Sequence, residues 1–122
     1  MPEKLGLNEM AEAALATAKE KGWWDADIAA RRGDLEIAAL IHSEVSEFVE
    51  EARKPLEVQM QWAEGTYFAE NGKPEGPAIE LADAVIRIGD YFASKGWDLE
   101  AAVRLKMDYN KTRPHRHGGK RF

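Results

Sequence analysis

The chain has 122 residues, 44% of them hydrophobic and 32% charged, with a net charge of -5 and no cysteine. That is room for one domain, 1–122, with a core of ordinary size, and the mixed signs of charge fit a helical globular chain better than a disordered one. Disulfides, zinc-thiolate sites and thiol catalysis are excluded; no apolar run approaches the roughly 20 residues that span a bilayer, and Met1-Pro2-Glu3-Lys4 does not open a signal peptide, so a cytoplasmic, membrane-free protein is expected. Asn8 is read as the N-cap of a first helix through "NEMAEAALATAKEKG", ended by Gly22. Trp23-Trp24-Asp25 begins a connector, and Gly33-Asp34 supplies a stop and a cap for a second helix, Leu35 to Arg53, closed by Lys54-Pro55. From Pro55 to Pro77 several breakers interrupt the pattern, and a short helix near Leu56 to Glu64 followed by an ordered excursion is expected. Pro77 opens a third helix, Ala78 to about Lys95, ended by Gly96; Asp98 caps a fourth, Leu99 to about Lys111, which Arg113-Pro114 stops. With no strand alternation, the expected architecture is an all-α bundle of four main helices.

The acids of "IHSEVSEFVEE" do not all sit where a solvated face would place them. At about 100° per residue, Ile37, Phe48, Ile41 and Leu40 all lie within about 60° of Glu44, which puts Glu44 inside the apolar stripe. Glu47 and Glu51 also fall on that side, Glu50 is directed to solvent and His42 lies nearly opposite Glu44. On the third helix Leu81, Val85, Ile88 and Phe92 define one apolar side, while Glu80, Asp83, Arg87 and Asp90 lie roughly opposite; Ile79 and Ile86 flank Asp83 there. Side chains three apart on a helix emerge next to one another, so Glu44 with Glu47 and Glu80 with Asp83 form two pairs. A single ExxE is common on any acidic helix and is usually a solvated face. Two inward pairs on facing helices need a cation, a base or a proton, since burying a bare carboxylate costs several kcal/mol. Oxygen-only ligation suits a hard dication, Mg2+ or Mn2+, which also accepts phosphate oxygens.

These residues resemble the all-α nucleoside triphosphate pyrophosphohydrolases, in particular the single-domain MazG-like proteins. The family's hallmark is ExxE on one helix and ExxD on the next, here Glu44-Val45-Ser46-Glu47 and Glu80-Leu81-Ala82-Asp83. "KEKGWWD", "ALIHSEVSEFVEEARK", "KPEGPAIELADAVIRIGDYF" and "LKMDYNKTRPHRHGGKRF" are similar to MazG-like segments as well, and Pro55 to Gly72 is the part covered poorly. The resemblance implies a hydrolase acting on phosphoric anhydrides that cleaves a (d)NTP to the (d)NMP and pyrophosphate. It implies Glu44, Glu47, Glu80 and Asp83 as Mg2+ ligands, with Glu47 also orienting the attacking water, and Lys106 and Asn110 on the substrate. It also implies a homodimer or homotetramer. Larger members place a lysine four residues before the first of these glutamates, where this chain has Leu40.

Phosphoryl chemistry of this kind needs the polyanion neutralised, and Lys106, Arg113, Lys111 and the basic tail are candidate cations. The tail, residues 111–122, carries five basic residues and no acid, so the other 110 residues hold a charge of -10; such a body argues against a nucleic-acid-coating protein. Arg87 is read as a salt-bridge partner of Asp83 or Asp90, and Trp23 and Trp24 as packing for the first helix rather than a wall for a base. Two rivals come from other classes. A ferritin-like di-iron protein requires Glu-x-x-His pairs, which this chain lacks. A non-enzymatic helical module that keeps the bundle and binds a partner or nucleotide is favoured by Leu40 at the lysine position.

Overall fold

A computed structural model describes residues 4–25 and 33–114. The chain is mostly helical: α1 (Leu7–Glu20), α2 (Asp34–Ala52), a single-turn α3 (Leu56–Gln59), a small hairpin of β1 (Tyr67–Phe68) and β2 (Pro74–Glu75), then α4 (Pro77–Lys95) and α5 (Leu99–Thr112). No helix among the described residues is long and apolar enough to cross a membrane. The tail from residue 115 onward, with His115 and His117, lies outside the described residues.

Helix α4 is central, packing against both α1 and α2, while α5 rests on α1 and the end of α4. The α1–α4 crossing depends on small residues. Gly89 is buried on α4, and a Cβ there would stand 3.2 Å from the Ala11 Cα and 2.8 Å from the Met10 sulfur. Ala11 itself is buried, so the two backbones approach more closely than larger side chains would permit.

The breakers act where the sequence places them. Gly22 adopts φ 84° beyond α1, and the Trp23 N–H returns to the Ala18 carbonyl at 3.0 Å, closing the helix in a Schellman-like turn. Pro77 is the first residue of α4, Gly96 ends it at φ 70°, and the Asp98 carboxylate accepts the Ala101 N–H at 2.9 Å at the start of α5.

Two caps differ from expectation. Helix α1 begins at Leu7, and Asn8 is already inside it. The Asn8 amide nitrogen donates to Asp98 Oδ1 at 2.9 Å and its oxygen accepts the Glu100 N–H at 3.0 Å. An amide carries donor and acceptor together, so it satisfies the exposed end of another helix better than its own. Likewise Gly33 is the N-cap of α2, and Asp34 turns to a tertiary partner, accepting the Tyr91 hydroxyl at 2.7 Å with Lys95 at 3.3 Å. Those two neighbours hold the Asp34 carboxyl below its ordinary range.

The segment after α2 is ordered, but its helix stops at Gln59 rather than Glu64 and a hairpin follows. Glu64 and Gly65 take φ 53° and 68° with the Thr66 N–H on the Ala63 carbonyl at 3.1 Å, a tight reversal of the kind that favours hairpins. Strands β1 and β2 pair antiparallel, Tyr67 opposite Glu75 and Phe68 opposite Pro74. Two residues per strand are too few for a period-two pattern to be visible in the sequence.

Candidate metal centre

The core is thin. Ile37, Ala84, Leu99 and Ala11 are its buried apolar residues among those described, and the buried charged residue is Glu44, 7% exposed. The helical wheel therefore placed Glu44 correctly. Glu50 is solvated, 76% exposed at the side chain and 3.6 Å from Arg53, and His42 is exposed as expected. The apolar side expected on α4 is only partly covered: Ile88 and Phe92 are half-buried, whereas Leu81 and Val85, together with Val45 and Val49 of α2, are each more than 40% exposed. Ile86 is exposed as well.

Carboxylate oxygens of Glu44, Glu47 and Glu80 converge, with one oxygen from each within 4.8 Å of the others. Glu44 is buried, Glu80 half-buried and Glu47 exposed, so the cluster has a closed floor and an open side. Helix α2 supplies two members one turn apart, and α4 supplies the third from its first turn, just after Pro77 fixes where that helix starts. Loss of water, a hydrogen bond with Glu47 and the charges of Glu47, Asp83 and Glu44 push the Glu80 carboxyl up to about 7. Like charges thus crowd around Glu80, the repulsion that a dication would cancel. Asp83 stands beside this trio and adds its charge to Glu80; it lines the neighbouring cleft together with Glu44.

Glu44 carries a more specific feature. Its Oε1 accepts from Arg87 Nε at 2.8 Å, whereas Oε2 is buried with no hydrogen-bond partner among the described residues. The partner of Arg87 is therefore Glu44, not Asp83 or Asp90; a wheel drawn on α4 alone misses it because Glu44 comes from α2. A buried carboxylate oxygen left bare is costly, and an oxygen-seeking cation is one group that would satisfy it.

A cleft of about 530 Å3 opens beside the cluster between α1, α2 and α4, with Glu44, Asp83, Arg87 and Asp90 on its polar wall. Lys21 and Trp23 border the α1 side. Trp23 is 56% exposed and borders the cleft at the end of α1, where the turn at Gly22 carries it. Trp24 is half-buried, and its indole N–H donates to Asp90 Oδ1 at 2.7 Å. In the sequence Lys21 reads as an ordinary helix-ending lysine, and only the fold brings it to the cleft.

Glu51 has a separate task. Its Oε1 accepts the Tyr67 hydroxyl at 2.8 Å, its Oε2 stands 2.9 Å from Lys54 Nζ, and Lys54 in turn donates to the Tyr67 oxygen at 2.9 Å. Trp62 stacks on Tyr67 with ring centroids 5.1 Å apart, and Lys54 lies over both rings. Tyr67 and Glu51 hold the Lys54 ammonium well above its ordinary range. This cluster fastens the hairpin to the end of α2, one helical turn from Glu47.

The four α5 and post-α5 residues are not drawn to the acids among the described residues. Lys106, Asn110 and Lys111 are exposed and Arg113 half-buried; Lys106 and Arg113 gather around the Tyr109 ring, with no ion pair to the acid cluster among the described residues. No known family, curated protein or solved structure matches this chain.

Proposed function

We propose that the chain is a Mg2+-dependent nucleoside triphosphate pyrophosphohydrolase of the MazG-like kind, cleaving a (d)NTP to the (d)NMP and pyrophosphate. The observation that carries the reading is the convergence of carboxylate oxygens from Glu44, Glu47 and Glu80, one of them a buried residue whose Oε2 has no hydrogen-bond partner among the described residues. The donor set is all carboxylate oxygen and fits Mg2+ or Mn2+, with Asp83 beside it as the fourth acid. Bound there, the ion would neutralise phosphate oxygens and lower the pKa of the attacking water. The protein's own residues divide the remaining work. Glu47, the exposed member, orients the water; Glu44 and Glu80 form the fixed floor. The cleft next to them takes the nucleoside side of the substrate, and hydrolysis breaks the anhydride between the α- and β-phosphates.

The assay is pyrophosphate release across the common NTPs and dNTPs. At least one should turn over with Mg2+, stop on adding EDTA, and lose turnover in Glu44→Ala and Asp83→Ala. Turnover of none, or turnover that survives both substitutions, rejects the reading.

The same reading takes the protein as a four-helix bundle completed by association. Supporting it, no described side chain is fully buried, and Val45, Val49, Leu81 and Val85 leave the α2–α4 pair with open apolar positions. Surface of that kind is usually covered by a partner. The α5 cations, unconnected to the acids in one protomer, would then be free to serve a neighbouring copy's site. Light scattering at micromolar concentration should give a multiple of 13.7 kDa, and particles of 13.7 kDa alone would reject association.

A non-enzymatic helical module is the second reading. Leu40 at the position of the usual phosphate-binding lysine favours it, and the pyrophosphate assay separates the two.

A further inference from the structure

We propose that Arg87 is a positioning residue for the acid cluster, holding Glu44 by Oε1 so that Oε2 is presented to a divalent cation. The inference rests on the reading of Glu44, Glu47 and Glu80 as a cation site. Arg87 and Glu44 join the two helices that supply the carboxylates, through a 2.8 Å bond from Nε. The Glu44 side chain is 9% exposed and the Arg87 side chain 38%, so the bond lies at the edge of the packed interior where α2 meets α4. Arg87 makes no ion pair with Glu47 or Glu80 among the described residues. It lines the cleft beside Glu44 and Asp83, and the Glu44 oxygen left bare is the one it does not hold.

Charge and orientation predict opposite outcomes here, which makes the idea testable. A guanidinium near a dication repels it, so by charge alone removal of Arg87 would tighten metal binding. An outer partner that fixes a ligating carboxylate has the reverse effect, and its loss typically weakens metal affinity about 10–100-fold. A carboxylate freed from Arg87 can rotate about its last side-chain bond and forfeit the presented oxygen.

The test is calorimetric titration of Mn2+ into the full chain, without nucleotide, for wild type, Arg87→Met and Arg87→Lys. Circular dichroism establishes folding, and each titration is run well below the melting temperature. Gly72→Ala, a change in an open turn with nothing within 4 Å of the added Cβ, serves as a mildly destabilised control that should keep the wild-type affinity. Arg87→Met should bind Mn2+ about 10–100-fold more weakly, with Arg87→Lys between it and wild type. Equal or tighter binding by Arg87→Met overturns the inference while leaving the cation site standing. Absence of Mn2+ binding by wild type overturns the cation reading and this inference with it. Should Arg87→Met not fold, Arg87→Lys decides: weaker binding than wild type supports the inference, and equal or tighter binding overturns it.

Discussion

Glu80→Gln should make the metal-free protein more stable at pH 8 and reduce metal-dependent turnover by at least about 100-fold, the upper end of what loss of a mere outer partner costs. Crowding by Glu47, Asp83 and Glu44, together with burial, raises the Glu80 carboxyl from its ordinary 4.5 to about 7. Between those values the folded chain holds a proton that the unfolded chain has released. Linkage then fixes the sign: stability falls as pH rises through that window and is regained on acidification from pH 8 toward pH 5. Glutamine imitates the protonated acid at every pH, so the variant should lose this dependence. Added Mg2+ should reverse the order, stabilising wild type at pH 8 and the variant much less. Melting temperatures measured across pH for both proteins, with and without Mg2+, check all of this. A wild-type profile that rises from pH 5 to pH 8 without metal, or a variant no more stable at pH 8, would contradict the electrostatic picture of the site.

Gly76→Ala should be the more damaging change to the fold, at about 2–4 kcal/mol, combining backbone strain with a backbone collision. Gly76 is buried at φ 118° and ψ 169°, a region almost closed to residues with a side chain, and a Cβ there would run into the Gly65 carbonyl oxygen. That same oxygen accepts the Ala78 N–H at 3.1 Å, satisfying a donor in the first turn of α4. The two glycines thus set where α4 begins, and Glu80 follows four residues after Gly76. Loss of stability should be accompanied by loss of metal affinity. Gly72→Ala, at φ 85° but in open space, should cost only about 1 kcal/mol, the penalty for a left-handed alanine. Denaturant unfolding of the two variants compares them directly; equal losses would mean that the Gly65 contact contributes nothing.

The boundaries of the long helices were legible because their signals are local. Gly22, Pro77, Gly96 and Asp98 act on the backbone within about one helical turn of themselves. Asn8 and Asp34 have the side chains of local caps, yet both were taken by partners from other parts of the chain. The same limit runs through the site. Periodicity on one helix identifies Glu44 as inward, but gives no hint that its charge is answered by Arg87 of another helix. It also leaves Glu51 undecided, since Tyr67 arrives on a hairpin whose strands are too short to read. The exposed Leu81 and Val85 show the converse: an amphipathic pattern marks a surface that wants covering without saying what covers it.

Anomalous scattering from a crystal soaked in Mn2+ reads out whether the three carboxylates form a divalent-cation site. A peak should stand among the Glu44, Glu47 and Glu80 oxygens and should vanish in Glu44→Ala crystals soaked alike. Well-ordered acids with no peak between them, or Mn2+ bound only elsewhere on the surface, would contradict the account.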